Sequence, residues 1–125
     1  HQVAISGSRF MPPGPVDVQP LLREFFRWYD RNKPSMHPVE LAAGVHLRFV
    51  TIHPFADGNG RMSRLLMNFV LHRHGFPPLN IPYEGRRGYY NALERSQVKE
   101  NNSTFIQWFF RRYLKEHSAY AKVKK

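Results

Sequence analysis

The segment HPFADGNGRMSR, residues 53–64, lies between two helical patterns and decides how the chain is divided around it. A residue before proline disfavours the α region, so the preceding helix is expected to end at His53. The next helical pattern begins near Gly60. Gly58 and Gly60 permit positive φ and expose successive backbone N–H groups, and the helix dipole adds to the attraction for an anion. The sequence therefore predicts a loop and a helix N-terminus that bind phosphate.

The polar side chains of the same segment are suited to a polyphosphate. Arg61 and Arg64 are three residues apart, so they share a helix face and can both reach anionic oxygens. Asp57 is an acidic group suited to holding Mg²⁺ against phosphate oxygens. His53, with an ordinary pKa of about 6.5, suits a general base at neutral pH. Phe55 alternates with the polar residues and is expected to point inward as the anchor of the loop.

Outside this segment the chain is predicted to be helical, with Pro and Gly marking the breaks. Apolar residues recur at spacings of three and four over residues 17–29, 38–52, 60–74, 84–97 and 103–117. Asp17 is the expected N-cap of the first helix, and Ser103 or Thr104 that of the last. Gly75 is the expected residue after the C-cap of the third helix. The sequence predicts a mostly α fold, a compact helical bundle in which the helix over 38–52 is central.

The N-terminal residues have a different pattern. VAIS is followed by GSRF and by the proline-rich MPPGP, which cannot be helical. This pattern predicts a short extended segment or β-hairpin, which we call the flap. The resulting division is a flap and proline-rich turn over 1–15, a helical core over 16–117 and a basic tail over 118–125.

Composition restricts the classes of function. The chain has 125 residues, of which 42% are hydrophobic and 22% charged, as in an ordinary globular domain. Cysteine is absent, which excludes disulfides and thiolate catalysis. The formal net charge of +10 favours anionic partners. No membrane span or signal peptide is visible, which favours a cytoplasmic location. A secreted effector and a fragment of a longer protein are the alternatives.

The segment 53–64 resembles the motif of the Fic family, H-x-F-x-[DE]-G-N-G-R-x-x-R. The fixed positions of the motif are filled by His53, Phe55, Asp57, Gly58, Asn59, Gly60, Arg61 and Arg64. The similarity extends over residues 3–115 and includes His37-Pro38, Ala42, Ala43, His46, Leu65, Leu66, Asn68 and Tyr89-Tyr90. The resemblance implies a Fic-type helical fold.

The resemblance also implies an activity, the transfer of AMP from ATP to a Ser, Thr or Tyr hydroxyl of another protein, with release of pyrophosphate. His53 is then the general base, and Asp57 holds Mg²⁺ between the α- and β-phosphates. Arg64 orients the γ-phosphate. The residues that bind the α- and β-phosphates by this resemblance are Gly58, Asn59, Gly60 and Arg61.

Further site residues and partners follow from the same resemblance. The nucleoside pocket is assigned to Tyr89, Tyr90 and Gln97. The flap resembles the strand that aligns a target segment by main-chain pairing, and its residues are Val3, Ala4, Ile5, Ser6 and Gly7. An inhibitory helix or an antitoxin-like partner is a possible regulator in this family. Residues 96–101, SQVKEN, match the inhibitory pattern [ST]-x-x-x-E-[GN], but they lie between two predicted helices.

Two other functions are open at this point. One is a Fic-type transferase of another nucleotide or phosphate-containing group. The other is a non-catalytic basic adaptor or nucleic-acid binder. The aromatic residues over 103–117 recur at helical spacing and are expected in the core rather than on a base-stacking surface, which argues against nucleic acid.

Overall fold

The computed structural model describes residues 8–82 and 86–118 of the chain, and these two ranges contain five α-helices and no strand. The helices are α1 Pro15–Asn32, α2 Pro38–Ile52, α3 Asn59–Arg73, α4 Arg87–Lys99 and α5 Ser103–Glu116. The prediction of a mostly α fold is confirmed.

Helix α2 is the centre of the fold, as its apolar composition predicts. It packs against α1, α3 and α5, while α4 packs against α5. All but four of its 15 residues are buried. The helix begins with Pro38, and Nδ1 of His37 caps it by accepting a hydrogen bond from the backbone N–H of Val39 at 3.1 Å. His53 is the C-cap residue of α2 and the first residue of the motif loop.

The first helix starts earlier than the sequence predicts. Pro15 is its first residue and Gly14 is the N-cap, so the prediction of Asp17 as N-cap is wrong. Proline at this position has the helical φ already set and lacks only an N–H that would have no helical partner. Asp17 lies in the first turn, where it still complements the helix dipole. At the end of α3, Gly75 has a φ of 80°, as predicted for the residue after the C-cap.

The last helix is preceded by a different cap from the expected one. Its N-cap is Asn102, so the prediction of Ser103 or Thr104 is wrong by one or two residues. The side chain of Asn101 satisfies this end instead, because its Oδ1 accepts hydrogen bonds from the N–H and the hydroxyl of Ser103 at 3.1 and 2.8 Å. The predicted start of α4 near residue 84 falls at residues 83–85, outside the described ranges, and the observed helix begins at Arg87.

The β-hairpin predicted at the N-terminus is not supported in its described part. Residues 8–14 form no strand, and the flap residues 3–7 lie outside the described ranges. Prolines cannot donate to a β-ladder, and the backbone N–H of Arg9 donates instead to Oε1 of Glu94 at 3.0 Å. The described end of the flap is therefore held by α4 rather than by a neighbouring strand.

The aromatic residues of α5 lie in the core as predicted. Phe105 and Phe109 are fully buried, and Tyr113 is nearly so. Its hydroxyl donates a hydrogen bond to the backbone carbonyl of Pro77 at 2.8 Å, which joins α5 to the connector after α3. Within the described residues, none of the helices combines the length and the apolar character that crossing a bilayer requires.

Candidate active site

A cavity lies between the end of α2, the start of α3 and the inner face of α4. Its volume is about 570 Å³, within the range of small-molecule sites. Five predicted site residues line this cavity. They are His53, predicted as the general base, Arg64, predicted to bind phosphate, and the predicted nucleoside-pocket residues Tyr89, Tyr90 and Gln97. The structure thus brings together residues from three helices that are up to 44 positions apart in the chain.

His53 is presented to this cavity by an unusual backbone conformation. It has φ 54° and ψ 56°, the left-handed region, where it forms the C-cap of α2. A non-glycine residue there is strained, and such strain concentrates at functional sites. Its Nδ1 is buried without a hydrogen bond of ordinary geometry, which leaves Nε2 as the nitrogen that can act. Burial lowers the pKa of His53, and the nearby backbone carbonyl of Val50 opposes that shift.

The motif loop is closed by a pair of hydrogen bonds between Asn59 and Phe55. Oδ1 of Asn59 accepts from the Phe55 N–H at 3.0 Å, and Nδ2 donates to the Phe55 carbonyl at 2.7 Å. Asn59 is only 2% exposed, so its side chain holds the loop, and only its backbone N–H stays at the helix N-terminus. Gly58 precedes it with a φ of 81°, as predicted.

The prediction that Phe55 points inward is wrong in part. Its side chain is 51% exposed, and its ring lies 6.2 Å from that of Phe49. Phe55 does anchor the loop, but through its backbone N–H and carbonyl rather than through its side chain. Alternation along the sequence fails here because the loop turns back on itself at Asn59 instead of running as an extended strand.

Gly60 serves a different purpose from the predicted one. It lies inside α3 and has no positive φ. A Cβ at this position would lie 3.1 Å from Nη1 of Arg64, so the guanidinium folds back over the first turn of the helix against Gly60. Arg61 is exposed. Arg64 is therefore the arginine that lies against the start of α3, while the Arg61 side chain is exposed to solvent.

Behind Arg64 lies a buried polar contact that sequence analysis missed. The hydroxyl of Tyr89 is 2.6 Å from Nε2 of His46, and the two residues are 1% and 0% exposed. Burial raises the pKa of Tyr89 to about 12, and the Arg64 guanidinium beside the hydroxyl opposes that rise. Burial lowers the pKa of His46 to about 3, against the weaker effect of the Ser63 backbone. Tyr89 thus offers little surface to a nucleobase.

The other two nucleoside-pocket residues remain accessible or close to the cavity. Tyr90 is 52% exposed and its ring lies 5.0 Å from that of Tyr89. Gln97 is 8% exposed, and its Nε2 donates to Oγ1 of Thr51 at 3.1 Å, which leaves Oε1 as the group that can accept from a ligand. Tyr90 and Gln97 thus fit a nucleoside better than Tyr89 does.

Asp57 is exposed in the motif loop and makes no ion pair among the described residues. The described part of the chain contains no cluster of three or more His, Cys, Asp or Glu that would hold a metal alone. Mg²⁺ is commonly bound by one or two carboxylates together with substrate phosphates and water. One exposed carboxylate in the motif loop fits that mode of binding and does not fit a resident metal centre.

A second missed feature joins the N-terminal segment to the cavity. Arg9 makes a two-point contact with Glu94, from its backbone N–H at 3.0 Å and from Nε at 2.9 Å, and these bonds lower the pKa of Glu94. Glu94 and Ser8 both line the cavity. The partners are 85 positions apart, so no local pattern could have predicted the contact.

Comparison with known proteins agrees with this geometry. The profile of the Fic/DOC family matches residues 1–71, which is more than half of the chain. The chain belongs to the Fic/DOC family.

Curated relatives of the chain carry a functional name. The chain is 50% identical over 95 residues to the protein adenylyltransferase Fic of Drosophila ananassae. It is 48% identical over 95 residues to the protein of the same name from Drosophila melanogaster. Each alignment covers 75% of this chain but only 19% of the relative, so the chain spans about one fifth of the length of these curated relatives.

Solved structures show the same fold. A Fic domain containing signaling protein from Bacteroides thetaiotaomicron superposes with a TM-score of 0.75 at 32% identity, over 89% of this chain and 48% of that one. Fic-1 from C. elegans superposes with a TM-score of 0.71 at 32% identity, over 98% of this chain and 36% of that one.

Proposed function

We propose that this chain is the catalytic core of a protein adenylyltransferase, which transfers AMP from ATP to a Ser, Thr or Tyr hydroxyl of a protein substrate and releases pyrophosphate. The observation that carries the proposal is the single cavity lined by both His53 and Arg64, the base and the polyphosphate ligand of one complete motif. The curated relatives from Drosophila, named protein adenylyltransferase Fic, support the same activity.

His53 acts as the general base in this proposal. Its Nε2 takes the proton of the target hydroxyl as that oxygen attacks the α-phosphorus. The new O–P bond forms while the bond from the α-phosphorus to pyrophosphate breaks, and pyrophosphate leaves. Burial lowers the pKa of His53, so the imidazole is neutral and able to accept a proton at pH 7.

The phosphates are placed by the start of α3. The backbone N–H groups after Gly58 and the helix dipole attract the α- and β-phosphates, with Arg61 swinging in from solvent. Arg64, fixed against Gly60, holds the γ-phosphate. Asp57 would hold Mg²⁺ in this proposal, and the ion would supply charge neutralisation for the departing pyrophosphate.

The nucleoside and the protein substrate take the two remaining sides of the cavity. Tyr90 stacks against the adenine ring of the nucleotide, and Oε1 of Gln97 accepts a hydrogen bond from that ring. The target segment pairs with residues 3–7 of the flap, which precede the Arg9 contact with Glu94 at the cavity. An inhibitory helix or an antitoxin-like partner regulates access to Arg64 in this proposal.

The test is intact-protein mass spectrometry after incubation with Mg-ATP, with the chain itself as acceptor and the His53→Ala variant beside it. We expect the mass of one AMP added to the parent and none to His53→Ala. ATP affinity should be nearly equal in the two, since a general base typically contributes ~10²- to 10⁴-fold to rate and little to ground-state binding. His72→Ala, an exposed histidine at the other end of α3, is the matched control and should behave as the parent.

Other adducts would identify the alternatives. A mass increase of one phosphate would indicate a kinase-like transfer, and an adduct only with another nucleotide would change the donor. Equal AMP transfer by His53→Ala and the parent would contradict the mechanism.

A further inference from the structure

The buried pair of His46 and Tyr89 has no role in the mechanism above, although Tyr89 lines the same cavity as Arg64. The two residues come from α2 and α4 and are 43 positions apart. Their contact is 2.6 Å long, and neither residue is more than 1% exposed. Polar groups buried this deeply destabilise a fold unless they are well satisfied. A buried pair of this kind that touches a site calls for an explanation at that site.

The donor and acceptor roles of the pair can be assigned from charge. His46 is neutral at pH 7, because burial and the positive charge of Arg64 hold its pKa far below the ordinary value. Nε2 is the ring nitrogen in contact with the Tyr89 hydroxyl, and Nδ1 has no hydrogen-bond partner among the described residues. In the tautomer that carries its proton on Nδ1, Nε2 accepts and the Tyr89 hydroxyl donates.

This arrangement fixes which way the Tyr89 oxygen faces. Once its proton is directed at Nε2 of His46, its lone pairs are available to Arg64. Arg64 and Tyr89 line the same cavity, and the positive charge of the guanidinium lowers the Tyr89 pKa against the rise that burial causes. On the other side, Nη1 of Arg64 would be 3.1 Å from a Cβ at Gly60. Arg64 therefore lies against the first turn of its own helix, in the cavity that it shares with Tyr89.

The imidazole of His46 is itself held in its orientation by a neighbouring ring. The ring of His46 stacks on Phe105 of α5, with 5.4 Å between centroids and 12° between planes. Phe105 is fully buried. The contacts thus run from Phe105 in the core to His46 and from His46 to Tyr89, which lines the cavity with Arg64.

We propose that His46 and Tyr89 are positioning residues that hold the Arg64 guanidinium in the orientation that binds the terminal phosphate of the nucleotide. Neither residue touches the reacting atoms. His46 orients the Tyr89 hydroxyl, and that hydroxyl orients Arg64. The link from Arg64 to the γ-phosphate rests on the proposed function, whereas the order of Arg64 does not depend on it.

The first experiment therefore uses the chain without nucleotide. The side-chain Nε–H of Arg64 is followed by ¹⁵N relaxation in the parent, in Tyr89→Phe and in Tyr29→Phe. Tyr29 lies on α1, where it faces Lys33, so its variant is the same chemical change away from the cavity. We expect an ordered Arg64 in the parent and in Tyr29→Phe, and a mobile one in Tyr89→Phe. An equally ordered Arg64 in Tyr89→Phe would overturn the proposal.

The second experiment separates positioning from general damage. Affinities for Mg-ATP and Mg-ADP are measured by calorimetry for the same variants and for Arg64→Ala. A hydrogen bond to a charged group typically accounts for tenfold or more in affinity, so Tyr89→Phe should bind ATP roughly tenfold more weakly. ADP has no γ-phosphate, and its affinity should stay at the parent value. Equal losses for both nucleotides in Tyr89→Phe would indicate a merely structural role and would also overturn the proposal.

The two experiments distinguish the proposal from the function on which part of it rests. If the parent has no preference for ATP over ADP, but Arg64 loses its order in Tyr89→Phe, the positioning role holds and the γ-phosphate assignment is wrong. His46→Phe provides an independent check, because it removes the acceptor for the Tyr89 hydroxyl. It should loosen Arg64 as Tyr89→Phe does, and an Arg64 ordered as in the parent would contradict the role of His46.

Discussion

Single residues in the motif do different work from what their types suggest. Asn59 is a hydrogen-bonding residue at the predicted phosphate site, yet both ends of its side-chain amide are hydrogen-bonded to the backbone of Phe55. Gly60 is a flexible residue in an ordinary helical conformation, and what matters is the space that it leaves for Arg64. Only Gly58 has the positive φ that glycine is expected to provide in this loop.

The role of Gly60 predicts a separation of stability from binding in Gly60→Ala. Alanine is ordinarily favoured over glycine in a helix by about 0.5–1 kcal/mol, so the free energy of unfolding should rise or stay close to the parent value. The new Cβ lies 3.1 Å from Nη1 of Arg64, so the guanidinium must move and ATP affinity should fall severalfold. Urea unfolding and calorimetry measure the two quantities.

Gly88→Ala is the matched control for Gly60→Ala. Gly88 is also the second residue of its helix, and a Cβ there would have only an ordinary contact of 3.4 Å with Nε1 of Trp108. It should leave ATP affinity at the parent value. Unchanged ATP affinity in Gly60→Ala would show that Arg64 does not need its observed position.

At the scale of elements, one glycine sets how closely α1 approaches α2. A Cβ at Gly44 would lie 2.5 and 2.8 Å from two ring atoms of Trp28. The Trp28 ring cannot easily retreat, because the guanidinium of Arg48 lies 4.3 Å from its centroid. The crossing of these helices therefore depends on a missing side chain in α2 and a large one in α1.

Gly44→Ala is predicted to destabilise the fold through this crossing. Overpacking typically costs about 1–3 kcal/mol, and the better helix propensity of alanine offsets up to about 1 kcal/mol of it. We expect a net loss of about 1–2 kcal/mol in urea unfolding. Adding Trp28→Leu should recover part of that loss, measured as the coupling energy of a double-mutant cycle. Additive effects of the two substitutions would mean that the ring is not the obstacle.

At the scale of the whole molecule, local pattern predicted the helices and the motif but not the contacts between them. The bounds of α2 follow from apolar periodicity and from proline, and this prediction agrees with the structure. The pair of His46 and Tyr89 joins positions 43 apart, and that of Arg9 and Glu94 joins positions 85 apart. Side chains that meet only after the helices pack leave no spacing in the sequence, so the support behind Arg64 could not be predicted.

The buried imidazole makes the stability of the whole chain depend on pH. His46 has a pKa of about 3 when folded, against the ordinary value of 6.5. Well above pH 6.5 it is neutral in both states and contributes no pH dependence. Below that, the unfolded chain binds a proton that the folded chain does not, so stability falls as pH decreases towards 3. His53, whose pKa is also lowered, contributes in the same direction.

The predicted loss is about 1 kcal/mol between pH 7 and pH 5.5, a window in which ordinary carboxylates stay ionised. It is measured as the free energy of urea unfolding at each pH. His46→Phe should show a clearly smaller loss over the same window. His72→Gln, which changes an exposed histidine, should keep the slope of the parent. A parent whose stability is flat over this window would contradict the burial of a neutral His46.

The hydrogen bonds that close the motif loop also affect how fast Asn59 can deamidate. An asparagine followed by glycine, as in Asn59-Gly60, is the pair most open to deamidation, since the glycine nitrogen can attack the side-chain amide and expel ammonia. Here that amide is locked to the Phe55 backbone at both of its ends and is 2% exposed, so the folded loop resists the reaction. Were it to occur, the new carboxylate oxygen would face the Phe55 carbonyl where an N–H now donates. Deamidation of Asn59 is therefore expected to proceed through the unfolded state, and a variant that unfolds more often should lose its intact motif faster on storage.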